Sequence, residues 1–183
     1  MKVGFLSVER QTVDVREAKI ALFDNGHEAA TFMTVESDAI DFALTHMRAV
    51  CDAIVVDGNT SAFYDTYKDT LSSRPDHFEL DEKLHSVVRE VTPEFLTDKF
   101  IPLLNKKVKK RFAVMVFKTY GKSVAELKAE LKDYCTKKSK VRIEFFPDFL
   151  ECEVHARCST NMAQDEMNII SARLDGILGG CTY

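Results

Sequence analysis

One stretch gathers several residues able to do chemistry, Asp57-Gly58-Asn59-Thr60-Ser61. A carboxylate, a carboxamide and two hydroxyls within five positions offer oxygen ligands and hydrogen-bond donors to a phosphate or a metal ion. The stretch follows an apolar run, Ala53-Ile54-Val55-Val56, and precedes Phe63, Tyr67 and Leu71 at helical spacing. That order predicts a buried strand, a tight turn and a helix, the turn lying at the carboxyl end of the strand, where open α/β sheets bind small ligands. A polar turn in which Ser61 caps the next helix explains the same residues more economically. Asp65 and Asp69, one helical turn apart, would form either a metal face or, more commonly, a solvated acidic face.

Elsewhere the chemistry is thinner. His155 stands beside Glu153 and Arg157 on the polar positions of an alternating run, a pattern better suited to a cross-strand surface pair than to a general base. His27 follows a helix stop, and His46 and His85 fall on expected helices without a carboxylate or thiol at ligand spacing. The five cysteines (51, 135, 152, 158 and 181) are scattered and have no C-x-x-C spacing, which fits reduced thiols of a cytoplasmic protein. No nucleophile elbow, P-loop or Ser-His-Asp order is present. The cluster Phe112, Met115, Phe117, Phe145 and Phe146 is expected to be core.

The elements that must position these residues follow from periodicity. Residues 2–8 read as a first strand rather than a signal peptide. A helix with Val15, Ala18 and Leu22 on one face stops at Asn25-Gly26. Residues 28–35 form a second strand, and Ser37 or Asp38 caps a helix carrying Ile40, Leu44 and Met47. The resulting β-α-β-α-β-α order is that of a parallel sheet covered on both faces. Beyond a turn at residues 72–76, Phe78 and Leu80 suggest a short edge strand. Asp81 is expected to cap a helix bearing Leu84, Val87, Val88 and Val91, and Thr92-Pro93 to restart it as far as Pro102.

A domain boundary is placed at 105, giving 1–105 and 106–183. Residues 111–118 read as a central strand, apolar on both faces. Ser123-x-x-Glu126 is a capping box opening a helix with Val124, Leu127, Leu131 and Tyr134 inward. Two alternating runs, Val141/Ile143/Phe145 and Cys152/Val154/Ala156/Cys158, form an antiparallel hairpin around Pro147-Asp148. A last helix carries Met167, Ile170, Leu174 and Ile177, so the second domain is a two-layer β-α-β-β-α unit.

Composition narrows the function classes. The 183 residues are 45% hydrophobic and 30% charged with a net charge of −4, ordinary globular values. An acidic chain lacks the basic footprint of a nucleic-acid binder, and the cluster at residues 106–111 reads as a solvated connector. No apolar stretch reaches the 18 residues or so of a membrane span.

In this order the chain resembles the amino-terminal part of the competence/damage-inducible CinA family. The resemblance rests on Asn25-Gly26-His27-Glu28 between the first helix and second strand, and on Cys51-Asp52-Ala53-Ile54-Val55-Val56 leading into the ligand loop. It continues in Phe117-Lys118-Thr119-Tyr120-Gly121-Lys122-Ser123, which is similar to the family's F-G-I-G-E-S segment. Glu153-Val154-His155-Ala156-Arg157 and Leu178-Gly179-Gly180-Cys181-Thr182-Tyr183 resemble its small α+β domain. The fold implied is a molybdopterin-binding-like three-layer α/β domain with a mostly parallel sheet, followed by the α+β domain.

The departures bear on function. The family loop reads approximately G-G-L-G-P-T-x-D-D. Here Gly58 matches its first glycine and Asp65 its first aspartate, while Asn59 and Ser61 replace later glycines that let a backbone approach a phosphate or pterin. The loop after strand one is reduced to Val8-Glu9-Arg10-Gln11-Thr12, and the segment that returns to the sheet is expected to be skipped between Glu90 and Thr92. Nothing in these residues resembles the amidase domain of the family's full-length members.

The candidate ligand-binding residues are therefore Asp57, Gly58, Asn59, Thr60, Ser61 and Asp65. What the resemblance implies is a binding or scaffolding module with an eroded site, forming a homodimer and retaining a nucleotide or pterin ligand. The alternative is an ADP-ribose pyrophosphatase using a divalent metal such as Mg²⁺, for which Gly58, Asp65 and Glu9 are what remains. A third expectation is a regulatory unit pairing with another protein through a strand edge.

Overall fold

Strand β3, Ala53–Gly58, is β-branched in its middle and buried on both faces, as a central strand of a covered parallel sheet must be. A computed structural model describes residues 1–71, 73–80, 82–108, 111–136, 139–162 and 164–178. The chain divides into two compact units, Met1–Lys109 and Lys110–Tyr183.

In the first unit β1 (Lys2–Val8), β2 (Glu28–Val35), β3, β4 (His77–Leu80) and β5 (Lys83–Val87) form one sheet in the order β2-β1-β3-β5-β4. All neighbours are parallel except the edge strand β4, which runs antiparallel to β5. Helix α1 (Val15–Asp24) begins where the Asp14 carboxylate accepts from the Glu17 N–H, and it ends at Asn25 with Gly26 at φ +84°. The face it covers holds Val3, Phe5, Val55, Leu84, Phe100 and Leu104; the opposite face packs Leu6, Ile54, Val56, Leu44, Met47 and Phe63 beneath α2 (Ile40–Val50) and α3 (Thr60–Thr66). Each such side chain, fully buried, contributes about 1.5–3 kcal/mol.

Several expectations are corrected. Residues 83–87 are not a helix but β5, paired with Ala53–Val56, and the Val88 N–H extends the ladder to the Val56 carbonyl at 2.9 Å. Leu84 and Val87 sit in the cores on opposite sheet faces. A strand buried on both faces loses its period of two, and its apolar spacing then matches a helix by accident. The chain thus returns to the sheet at Lys83–Val87, ahead of Glu90. Neither Ser37 nor Asp38 caps α2: a 3₁₀ turn, Ser37–Ala39, intervenes, and the first residues of α2 have no side-chain cap.

Nor does the helix end at Pro102. A π-helical stretch, Phe95–Phe100, runs directly into α4, Ile101–Lys107, through the expected boundary at 105. Proline has no N–H and its ring crowds the carbonyl four residues back; widening the preceding turn, with Ile101 N–H bonded to Leu96, accommodates it. The expected cap Asp81, the lysines at 109 and 110, and the closing segment 179–183 with Cys181 lie outside the described residues.

The second unit has the expected β-α-β-β-α order: β6 (Phe112–Tyr120), α5 (Val124–Glu130), β7 (Val141–Asp148), β8 (Glu151–Ser159) and α6 (Gln164–Leu178). Both sides of the capping box are made, Ser123 to Glu126 and back. Leu127, Leu131, Val154, Ala156, Leu174 and Leu178 are the centre of its core. The sheet order, however, is β6-β8-β7. β8 is central and β6 is an edge, with Val116 half exposed; its apolar outer residues had imitated a strand buried on both faces.

Candidate functional site

Parallel strands end on the same side, so the segments leaving β1, β3 and β5 meet although they are some 80 residues apart in sequence. Their backbones are fastened together: Asn59 N–H donates to Val8 O at 3.0 Å, Gly58 N–H to Arg89 O at 3.4 Å and Glu9 N–H to Val35 O at 2.7 Å. Gly58 has φ +83°, and a Cβ there would lie 2.3 Å from Val8 O and 2.9 Å from Arg10 O. Only glycine lets the β3 exit pass so close to the β1 exit.

The three segments enclose a cleft of about 520 Å³. The β1 exit lines it with Val8, Glu9 and Arg10, the β3 exit with Gly58, Asn59, Thr60 and Ser61, and the β5 exit with Arg89. Its charged side chains are two guanidiniums and one carboxylate. The Ser37 hydroxyl donates to Glu9 at 2.5 Å. That bond first, and one from Asn59 second, holds the Glu9 carboxyl below its ordinary value of 4.5. Asn59 also caps α3, its Oδ1 accepting from the Ala62 N–H at 3.2 Å. The cap expected from Ser61 is thus made by Asn59, which leaves the Ser61 hydroxyl at the cleft.

Asp57 is placed differently. It is fully buried and does not line the cleft. The Thr12 hydroxyl donates to Asp57 Oδ2 and itself accepts from the Val91 N–H at 3.0 Å. Thr12 therefore fastens the segment after β1 both to Asp57 in β3 and to the segment after β5, on the α1 face. Asp65 lies at the end of α3, largely exposed, 3.3 Å from the Arg74 guanidinium and away from the cleft lining. Asp69 is exposed in the turn beyond. The structure thus gathers Gly58, Asn59, Thr60 and Ser61, sets Asp57 beneath them, and leaves Asp65 apart. Among the described residues no three His, Cys, Asp or Glu side chains converge as metal ligands.

The histidines differ from expectation as well. His155 is buried, its Nε2 3.3 Å from Glu153 and its ring edge-on to Phe146 at 4.9 Å, so it is not a surface pair. His85 belongs to β5, fully buried and stacked on Phe78 at 5.1 Å. His27 is buried 3.0 Å from Asn105. Cys51, Cys152 and Cys158 are buried and Cys135 is exposed. Burial pushes the Cys51 and Cys158 thiols up, which makes them less reactive. Among the described residues no helix is long and apolar enough to cross a membrane.

Sequence reasoning missed Arg10, Arg89 and Thr12. Arg10 and Thr12 stood in a loop weighed only for what it lacked. Arg89 stood in an expected helix; recognising Lys83–Val87 as a strand would have placed it at a strand exit beside Gly58.

No family model matches the chain, and no curated protein matches it. Among solved structures, a crystal structure of a molybdopterin biosynthesis protein from Mycobacterium abscessus is similar, at 11% identity and a TM-score of 0.38, covering 58% of this chain and 97% of that one. So remote a likeness carries no argument about ligand or activity.

Proposed function

We propose that the chain is a binding module rather than a catalyst. In this reading it is a CinA-like protein with an eroded loop whose first unit takes a small phosphate-bearing ligand, a nucleotide or a phosphorylated pterin. The observation that carries the proposal is the pairing of Arg10 and Arg89 across the Gly58–Ser61 turn in a cleft of ligand size. Pockets for small ligands span about 300–1,000 Å³, and guanidinium is the side chain best matched to phosphate oxygens. The one carboxylate in the cleft, Glu9, is already held by Ser37 and Asn59, so the cations dominate.

The pyrophosphatase alternative needs oxygen ligands for a divalent ion next to the phosphates. Its carboxylates do not meet: Glu9 lines the cleft, whereas Asp57 lies beneath the turn with Thr12 and Asp65 pairs with Arg74. The homodimer remains part of the proposal, with β6 as an edge strand whose chain direction leaves backbone groups to pair.

The test is thermal unfolding against ADP-ribose, mononucleotides and pterin phosphates, each with and without Mg²⁺. A ligand at a hundredfold its Kd adds about 2.7 kcal/mol, which raises the midpoint by several degrees. Replacing Arg10 or Arg89 with Ala should remove about 1.5–3 kcal/mol of binding, a loss of roughly 10- to 150-fold. A flat panel would refute the binding proposal, and turnover of ADP-ribose would restore the enzyme.

A further inference from the structure

Below the cleft, on the α1 face of the sheet, lies a polar patch that the proposed ligand site does not use. Asp57 is fully buried, yet its Oδ1 has no hydrogen-bond partner; Ser86 is 2% exposed and its Oγ has none either. The two belong to neighbouring parallel strands. Val55 is opposite Ser86 in the β3–β5 ladder, so Asp57 lies two residues further along the same face. Strand geometry puts their Cα atoms roughly 8 Å apart, with both side chains on that face. Ser7, also buried, stands directly opposite Asp57 on β1 and on the same face.

Two oxygens left unsatisfied in a dry interior are costly, and a buried carboxylate without a counter-charge more so. Among the described residues no Lys, Arg or His nitrogen pairs with Asp57, whose only hydrogen-bond donor is Thr12. We propose that Asp57 Oδ1 and Ser86 Oγ bind a monovalent alkali cation between β3 and β5, with Ser7 alongside. The donors are all oxygens, which selects a hard ion over zinc or copper. One carboxylate balances one positive charge; a divalent ion would leave excess charge buried. The ion would brace the floor on which the turn at Gly58 and the latch of Thr12 rest. This site is separate from the cleft and stands whether or not the cleft binds phosphate.

The experiment is thermal unfolding of the whole chain in sodium, potassium and choline chloride at equal ionic strength. Choline is too large and too poor a ligand to enter. The midpoint should be about 2–4 °C higher in one alkali salt than in choline and should climb with its concentration. Asp57→Asn should abolish that dependence, and Ser86→Ala, which keeps the charge, should weaken it. Should Asp57→Asn fail to fold, broadening of the sodium resonance by the native protein and its reduction in Ser86→Ala decide the matter. Equal midpoints in all three salts, or a cation dependence that survives in Asp57→Asn, would overturn the proposal and leave a water at Oδ1.

Discussion

In the first unit β1, β3 and β5 run the same way, so the segments that follow Val8, Gly58 and Val87 open on one rim and bring Arg10, Asn59 and Arg89 together. In the second, β8 runs against both its neighbours, so β6 and β7 end side by side, where the Gly121 N–H donates to Leu150 O at 3.0 Å, and only β8 leaves from the other end. Several of its lysines are matched locally: Lys118 with Glu153 at 3.5 Å, Lys122 with Glu130 at 2.7 Å and Lys140 with Glu166. Such surface pairs contribute about 0–1 kcal/mol each. Both units bring strand exits together, and they differ in the side chains placed there: the exits of the first gather Arg10, Asn59 and Arg89 around a cleft.

The comparison can be broken hardest at the cores. Phe100→Ala in the first unit and Leu127→Ala in the second each empty a fully buried position, at a cost of about 3–5 and 2–5 kcal/mol respectively. Native-state hydrogen exchange should show the first loss in β1 and β3 amides and the second in β6 to β8; the reverse pattern would end the idea of two separate cores. Gly58→Ala comes next. With φ +83° and two carbonyl oxygens inside contact distance, it should cost about 2–4 kcal/mol in denaturant titration. A neutral result would mean that the β1 and β3 exits are not held together as described.

Smaller effects sharpen the picture. Ser123→Ala removes the cap of α5 and should cost about 1 kcal/mol. The Ser123 side chain, then its backbone N–H, holds the Glu126 carboxyl below its ordinary value of 4.5. A depressed carboxyl lends stability above its unfolded value and loses it as pH falls through the folded one. Stability of the native chain should therefore fall below pH 4.5 more steeply than that of Ser123→Ala. Tyr67 has the opposite sign. Burial first, and its bond to Asp41 second, push the phenol up to about 12, so its contribution is complete below 10 and lost as pH rises through about 12. Tyrosinate absorbance should show a step at about 12 that disappears in Tyr67→Phe, while the phenol of Tyr64, also raised by burial, still titrates.

Much of this architecture is legible in the sequence. Strands β1, β2 and β3, helix α1 with its Asn25-Gly26 stop, and the Ser123 capping box were read from spacing because local physics alone decides them. β5 was not legible, because burial on both faces erases the alternation that marks a strand, and four apolar residues at helical spacing replaced it. That single miss hid Arg89 and with it half of the cleft's positive charge. The sequence also overrated Asp65, since helical spacing says which residues share a face but not whether that face meets a loop 50 residues upstream. The role of Asp57 depended on a hydroxyl, Thr12, that no local pattern connects to it.

The measurement that bears most directly on the central claim is an amide-resolved NMR titration of the whole chain with ADP-ribose. Shifts should appear at Arg10, Gly58, Asn59, Ser61 and Arg89, stay absent from β6, β7 and β8, and vanish when Arg10 and Arg89 are both replaced with Ala. Silence around the cleft at saturating ligand, or shifts that map to the antiparallel sheet, would contradict it.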